Sequence, residues 1–308
     1  MAMSTILPTL RQLQFLVALA DHGSFSRAAE ASHVTQPTLS AGVKELENAL
    51  GAVLVERGAR GATLTPAGET AAARARLMLT EAEDLVHAAR AAGEPLTGQF
   101  RLGVIPTIAP FLLPKVLPAL RDEFPKLELF LREDLTHRLV DALKERRLDA
   151  ALIALPWEST GIETTVIAED EFLFAAPPDH PLAKVNRLEP SMVADEPLLL
   201  LEDGHCLRDH ALSVCGGGPG GAASDAARSD FAATSLHTLV QMVRSGLGAT
   251  LLPKLALDAG LIDGMDLAVR HFDPPVSGRE IGVAWRKGSA RADEVKALAA
   301  SIKAAMEG

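Results

Sequence analysis

The sequence predicts a mainly helical N-terminal segment joined by one long helix to a C-terminal α/β region of two Rossmann-like lobes. Three observations carry this. Apolar residues between Leu10 and Leu50 recur at helical spacing. An Ala-rich stretch then runs from Thr65 and Pro66 to about Ala92. From Gln99 onward short apolar runs alternate with helical patterns, the signature of a parallel sheet.

Leu10, Leu13, Leu16, Val17 and Ala20 predict a first helix that stops near Gly23. Ser24 is placed to cap a second, SFSRAAEAS, ending around His33 and Val34, and Thr35 to cap a third with Pro37 in its first turn. In the third helix Leu39, Val43, Leu46 and Leu50 form the inward stripe, leaving Gln36, Thr38, Ser40, Ala41 and Lys44 outward. Two short helices joined by a tight turn, the second fronted by Gln, Thr and Ser, have the form of a helix-turn-helix that enters a major groove. Gln and Thr read base edges, whereas Lys44 and Arg27 suit phosphates. On periodicity alone, a small helical bundle with a solvated face is the simpler reading. The 27 Ala-rich residues would span about 40 Å as a helix, long enough to need a partner. Gly93, Glu94, Pro95 and Gly98 break it, which sets the domain boundary.

Beyond the boundary, strands are expected at 101–105, 127–131 and 150–155 and helices at 111–123 and 136–147. Thr107 follows the first strand and Thr136 the second, so both hydroxyls can face a crevice beyond the strand ends. A turn Thr and a helix cap account for them equally well. A second set of elements starts near Phe172 and includes the apolar run Leu198 to Leu201, a helix capped by Ser235, and a strand at 249–252. The chain then returns through Ile281 to Trp285 and a final helix at 293–306. Lobe I is expected at about 99–171 plus 276–308 and lobe II at about 172–275, an arrangement that resembles periplasmic binding proteins.

The net charge of −10 excludes a surface that coats nucleic acid or an anionic membrane as a whole. Residues 1–92 carry 8 Lys or Arg against 9 Asp or Glu, so this third is near neutral and any DNA contact rests on a few focused cations. Dimerisation would raise such affinity. No apolar run approaches the roughly 20 residues of a membrane helix, and the start lacks a signal-peptide pattern, so a cytoplasmic protein is expected. The nine His are scattered, HExxH and CxxC are missing, and the glycine run at Gly216 lacks the Lys and the strand-to-helix context of a phosphate loop, so neither metal nor cofactor is expected.

The only two cysteines are Cys206 and Cys215, in LEDGHCLRDHALSVC just past the Leu198 to Leu201 run. Nine helical residues would separate them by roughly 13 Å, whereas a disulfide needs Cα atoms about 4.4–6.8 Å apart. Either the segment is not helical, or joining the sulfurs requires unwinding it, or the pair is two buried small hydrophobes. The Gly-rich run Gly216 to Ala223 follows directly and favours local unfolding there.

The string SFSRAAEASHVTQPTLSAGVKELENALGAVLVERGARGATLTPAG resembles the winged DNA-binding domain of LysR-type transcriptional regulators over about 60 residues. The resemblance implies a winged helix-turn-helix at 1–65, a dimerising linker helix at 66–92, a hinge at 93–98 and a regulatory domain at 99–308. It implies DNA contacts from Ser24, Arg27, Thr35, Gln36, Pro37, Thr38, Ser40 and Lys44, with Arg57 and Arg60 on the wing between strands at 54–57 and 62–65. GVIPTIAPFLLPKVLPAL, FPKLELFLREDLTHRLVDAL and GHCLRD with a second Cys nine residues on are similar to the peroxide-sensing members of that family. That similarity implies a regulator, not an enzyme, with Cys206 the peroxidatic thiol and Cys215 the resolving one. It further implies that Thr107, Thr136, His205 and Asp209 surround the thiol and that Arg286 supplies its cation, with Arg208 a weaker candidate. The implied partners are an operator in double-stranded DNA, hydrogen peroxide, three further copies in a dimer of dimers, and RNA polymerase. A LysR-type regulator that binds a small metabolite between the lobes is the alternative. The sequence departs from the family in the longer glycine-rich stretch after Cys215 and in Asp230, which precedes Phe231 where the family often has His.

Overall fold

The computed structural model describes residues 7–58, 61–90, 96–157, 159–194, 196–214, 232–274, 276 and 278–307. The chain divides into two compact units, Met1–Arg90 and Ala91–Gly308.

In the first unit, α1 (Leu10–His22) opens on a capping box in which the Thr9 side chain accepts from the Gln12 N–H, and it ends at Gly23 with φ 61°. α2 (Phe25–Ala31) and α3 (Gln36–Leu50) follow. Ser24 holds the cap position of α2 but its side chain makes no capping bond, whereas Thr35 accepts from the Thr38 N–H as expected. Leu13, Leu16 and Leu19 of α1 close on Leu39, Val43 and Leu46 of α3. Leu10 and Leu50, expected inward, are exposed because each lies at a helix end beyond this contact. Antiparallel β1 (Val55–Gly58) and β2 (Gly61–Leu64) form a hairpin, one residue displaced from the expected strands. α4 (Pro66–Arg90) has 25 residues and so extends about 37 Å.

The second unit runs β3 (Gly98–Val104), α5 (Ala109–Glu123), β4 (Leu127–Glu133), α6 (Thr136–Lys144), β5 (Ala150–Leu155), β6 (Ile162–Asp170) and β7 (Phe172–Ala176). It continues through β8 (Arg187–Leu188), β9 (Leu200–Leu201), α7 (Cys206–Val214), β10 (Ala232–Ala233) and α8 (Leu236–Arg244). The last elements are β11 (Thr250–Pro253), α9 (Lys254–Asp258), β12 (Ala268–Phe272), β13 (Arg279–Arg286) and α10 (Ala292–Glu307). α6 stops three residues short of the expected Arg147, since Arg146 turns the chain with φ 59°.

One sheet has the order β4-β3-β5-β13-β6, parallel through β4, β3 and β5 and antiparallel at β13 and β6. β6 was not expected, because its alternation IETTVIAED exposes one side and lacks an apolar run. The other lobe has the order β11-β7-β12-β8, and β9 pairs with β10 in parallel. Two hydrophobic clusters fill the unit, one under the five-stranded sheet and one around Phe174, Leu201, Leu239 and Leu252. The chain leaves the first lobe at the end of β6 and returns at the start of β13, where Asp170 and Arg279 face each other across the ladder.

These two crossings touch. A Cβ at Gly278 would lie 1.9 Å from the Asp170 carbonyl oxygen and 2.8 Å from Glu171 Cα, both backbone atoms. Gly278→Ala therefore lowers stability by roughly 1–3 kcal/mol, the cost of overpacking. Both tryptophans, Trp157 and Trp285, belong to this unit, so urea unfolding followed by fluorescence reads it directly. An unchanged midpoint would show that the crossings can separate without loss.

Candidate functional site

Three strand ends bring the site together. β3 releases the chain at Ile105, and Thr107 is buried in the turn before α5. β4 releases it at Asp134, whose carboxylate accepts from the Leu135 N–H at 3.0 Å and so fixes the entry to α6. Partial burial raises the Asp134 carboxyl, but bonds and charge from Arg132, the Leu135 N–H and Arg138 outweigh it and hold the pKa low. Thr136 is the first residue of α6 and is buried. From the other lobe, β9 ends in the turn Glu202 to His205, where Gly204 takes φ 98°, and Cys206 starts α7.

Cys206 is a free thiol, 8% exposed, with Sγ 2.9 Å from Thr136 Oγ1. It packs into the first lobe's core, whereas Leu207 and Ala211 of the same helix pack into the second lobe's. The thiol thus bridges the lobes. The cation that faces it is Arg279. That guanidinium is wholly buried: Nε donates to Asp170 at 2.9 Å, Nη1 to Thr107 Oγ1 at 2.6 Å and Nη2 to the Thr107 carbonyl at 2.9 Å. Asp170 Oδ1 also accepts from the Leu255 N–H of α9 at 2.8 Å.

Burial pushes the Cys206 thiol above its ordinary pKa, and Asp209 adds to this. The Thr136 hydroxyl, the backbone N–H at the helix start and Arg279 oppose it without prevailing. The thiol is therefore held protonated at neutral pH, yet ringed by groups that stabilise a thiolate once formed. Burial lowers the pKa of Arg279, with Asp170 and the thiol countering it. It also lowers that of His205 against the pull of Glu202.

Of the residues expected around the thiol, Thr136 touches it and Thr107 reaches it through Arg279. His205 lines a 450 Å³ crevice with Asp134, Glu202 and His237, the last stacked on Phe111 at 5.6 Å. Asp209 is exposed and acts on the thiol only through its charge. Arg286 is a correction: it ends β13 opposite Ile162, seven residue steps from Arg279, or about 23 Å along the strand. Arg208 is turned back onto β9, bonding the Leu201 carbonyl at 3.2 Å and Asp203 at 3.1 Å. Sequence reasoning passed over Arg279, Asp170 and His210. The signal available was a buried-strand pattern that opens on Arg, in REIGVAWR. Cys215, Asp230, Phe231 and the glycine run Gly216 to Ala223 lie outside the described residues, as does Arg60.

In the first unit Arg27, Gln36, Pro37, Thr38 and Lys44 are exposed, Ser24 and Ser40 half-buried, and Thr35 and Thr38 hydroxyls lie 2.8 Å apart. Pro37, Ser40, Ala41 and Lys44 follow helical spacing along one face of α3. Arg57 is in β1, its side chain outside the description. Among the described residues no helix is long and apolar enough to cross a membrane, and no group of three His, Cys, Asp or Glu is arranged for a metal.

Comparison with known proteins matches residues 10–69 to the family described as bacterial regulatory helix-turn-helix protein, lysR family. Residues 93–307 match the LysR substrate binding domain. A probable hydrogen peroxide-inducible genes activator of Streptomyces viridosporus is 42% identical, covering 97% of this chain and 95% of its own. The HTH-type transcriptional regulator EstR of Acinetobacter baylyi is 42% identical over 92% of each chain. The hydrogen peroxide-bound structure of a Cys-to-Ser variant of Corynebacterium glutamicum OxyR superposes with a TM-score of 0.68 at 35% identity, covering 99% of this chain and 94% of that one.

The two arginines of β13 separate cleanly by experiment. Arg279→Met strands the Asp170 carboxylate in the core and costs about 3–5 kcal/mol of stability. Arg286→Met, at the half-exposed strand end, stays within about 1 kcal/mol in the same urea titration. Equal costs would remove the buried pair from its central place.

Proposed function

The chain belongs to the LysR family of bacterial DNA-binding transcriptional regulators, and from that premise we propose that it senses hydrogen peroxide through Cys206 and passes the oxidation on to DNA. The observation that carries this reading is the thiol itself: buried between lobes, 2.9 Å from the Thr136 hydroxyl and facing the buried cation Arg279. A metabolite-sensing site requires none of these.

The chemistry follows from the groups present. Sγ attacks one peroxide oxygen, the O–O bond breaks, and Cys206 becomes a sulfenic acid with loss of water. Thr136, Thr107 and Arg279 offer hydroxyls and N–H donors to the thiolate and to the departing oxygen. The Cys215 thiol then displaces hydroxide from the sulfenic sulfur, giving a disulfide and a second water. α7 carries the chain about 12 Å from Cys206 to Val214. Joining Cys206 to the residue after Val214 within about 6.8 Å requires this helix to give up turns. Unwinding draws Leu207 and Ala211 out of the second lobe's core and so alters the surface offered to a second subunit.

The first unit reads DNA in this proposal. Gln36, Thr38 and Ser40 meet base edges, while Arg27, Lys44 and the wing arginines Arg57 and Arg60 meet phosphates. α4 pairs with the same helix of a second subunit, and two such dimers form the cytoplasmic tetramer that rearranges on oxidation and engages RNA polymerase. The rival is a metabolite regulator that uses the 450 Å³ crevice beside His205 and His237.

The test is an operator footprint before and after one equivalent of peroxide. The native chain changes its footprint and loses both thiols, and Thr136→Val slows that loss about 5–10-fold, the worth of one hydrogen bond. Cys206→Ser leaves the footprint fixed. A footprint that still responds in Cys206→Ser, or a native protein that keeps its thiols, returns the assignment to the crevice.

A further inference from the structure

The buried thiol poses a problem of its own. Burial holds Cys206 protonated, whereas attack on peroxide needs the thiolate. The proton must go to a group within reach, and Arg279 cannot accept one. Thr136 can pass a proton on but not keep it.

α7 begins at Cys206, so His210 lies four residues on, one turn along the same face. Cβ atoms at this spacing are about 5–6 Å apart, a gap that one peroxide or water molecule spans. Arg279 acts electrostatically on both His210 and Cys206, so the imidazole and the thiol both lie near the buried cation. The imidazole is half-buried with its Nδ1 shielded from solvent. The charged groups that bear on it are Arg279 from β13 and Asp209 from its own helix, with Asp170 of β6 behind that guanidinium. Burial and Arg279 lower its pKa, so it is neutral and ready to accept at pH 7.

We infer that His210 is the proton acceptor of the sensor, taking the Cys206 proton as sulfur attacks peroxide and returning it to the departing oxygen. The S–O bond forms as the O–O bond breaks. The leaving hydroxide takes the proton back from the imidazolium and departs as water, which restores neutral His210. Asp170 compensates the Arg279 charge, so an imidazolium can form beside it for the duration of the step. His205 does not serve, because its imidazole lines the crevice with Glu202. The inference rests on the peroxide reading above and adds the route of the proton.

The experiment measures the second-order rate of Cys206 oxidation by hydrogen peroxide in the full chain carrying Cys215→Ser, from pH 5 to 9. With His210 in place the rate rises through an inflection below pH 6.5 and then levels, and the imidazole resonance of His210 titrates at the same midpoint. With His210→Gln the inflection disappears, the rate follows the thiolate fraction with unit slope, and the value at pH 7 drops about 100-fold. Circular dichroism and operator binding verify that this variant is folded. The agreement of kinetic and resonance midpoints uses native His210 and decides the matter even should the variant not fold. Disagreement of those midpoints, or an unchanged profile in His210→Gln, overturns the inference alone. A native Cys206 inert to peroxide overturns the peroxide reading and this inference with it.

Discussion

The second unit depends on a wholly buried ion pair, Asp170 with Arg279, set across from each other where the chain leaves the first lobe and where it returns. Such a pair repays its desolvation when its geometry is good and further hydrogen bonds support both partners. Here the Arg279 bonds go to Asp170 and to both oxygens of Thr107, while Asp170 takes the Leu255 N–H from the second lobe. The pair ties β6, β13, the β3–α5 turn and α9 to one point. Gly278 lets the two crossing strands approach closely enough for it to form.

That anchoring explains how one cation can act on a thiol without ionising it. A mobile Arg would fold over a thiolate and hold it permanently. Arg279 is instead held by Asp170, and burial of Cys206 outweighs what remains of its field. The result is a thiol that rests as a neutral hydrophobe in one core while its helix is anchored in the other. Chemistry at the sulfur therefore acts on α7 and, through the shared pair, on the junction between lobes. Allosteric coupling requires such a differential contact.

Much of this was legible in the sequence, for reasons particular to each element. α3 and α8 show because Leu39, Val43 and Leu46, and Leu239, Val240 and Val243, repeat at helical spacing behind the capping residues Thr35 and Ser235. β5 shows because AALIAL is buried on both sides. β6 does not show, being an edge strand with polar residues on its open face. The thiol and Thr136 were legible as members of recognisable strings. The cation was not: Arg279 finds its partner 109 residues earlier in sequence, a relation that no local pattern carries, and Arg286 seven steps on presents the same residue type to a reader of one dimension. His210 became visible only when α7 was seen to begin at Cys206, which sets the face that the imidazole shares with sulfur.

The central claim is that a locked guanidinium and a buried thiol coexist with the proton still on sulfur. Ultraviolet titration of the thiolate in the reduced full chain with Cys215→Ser measures this directly, because Cys206 is then the sole cysteine. The account predicts a midpoint above the ordinary thiol value, reached without loss of the tryptophan fluorescence of the folded unit. A midpoint near or below neutrality would contradict it, since Arg279 would then dominate over burial and the sensor would rest as a thiolate.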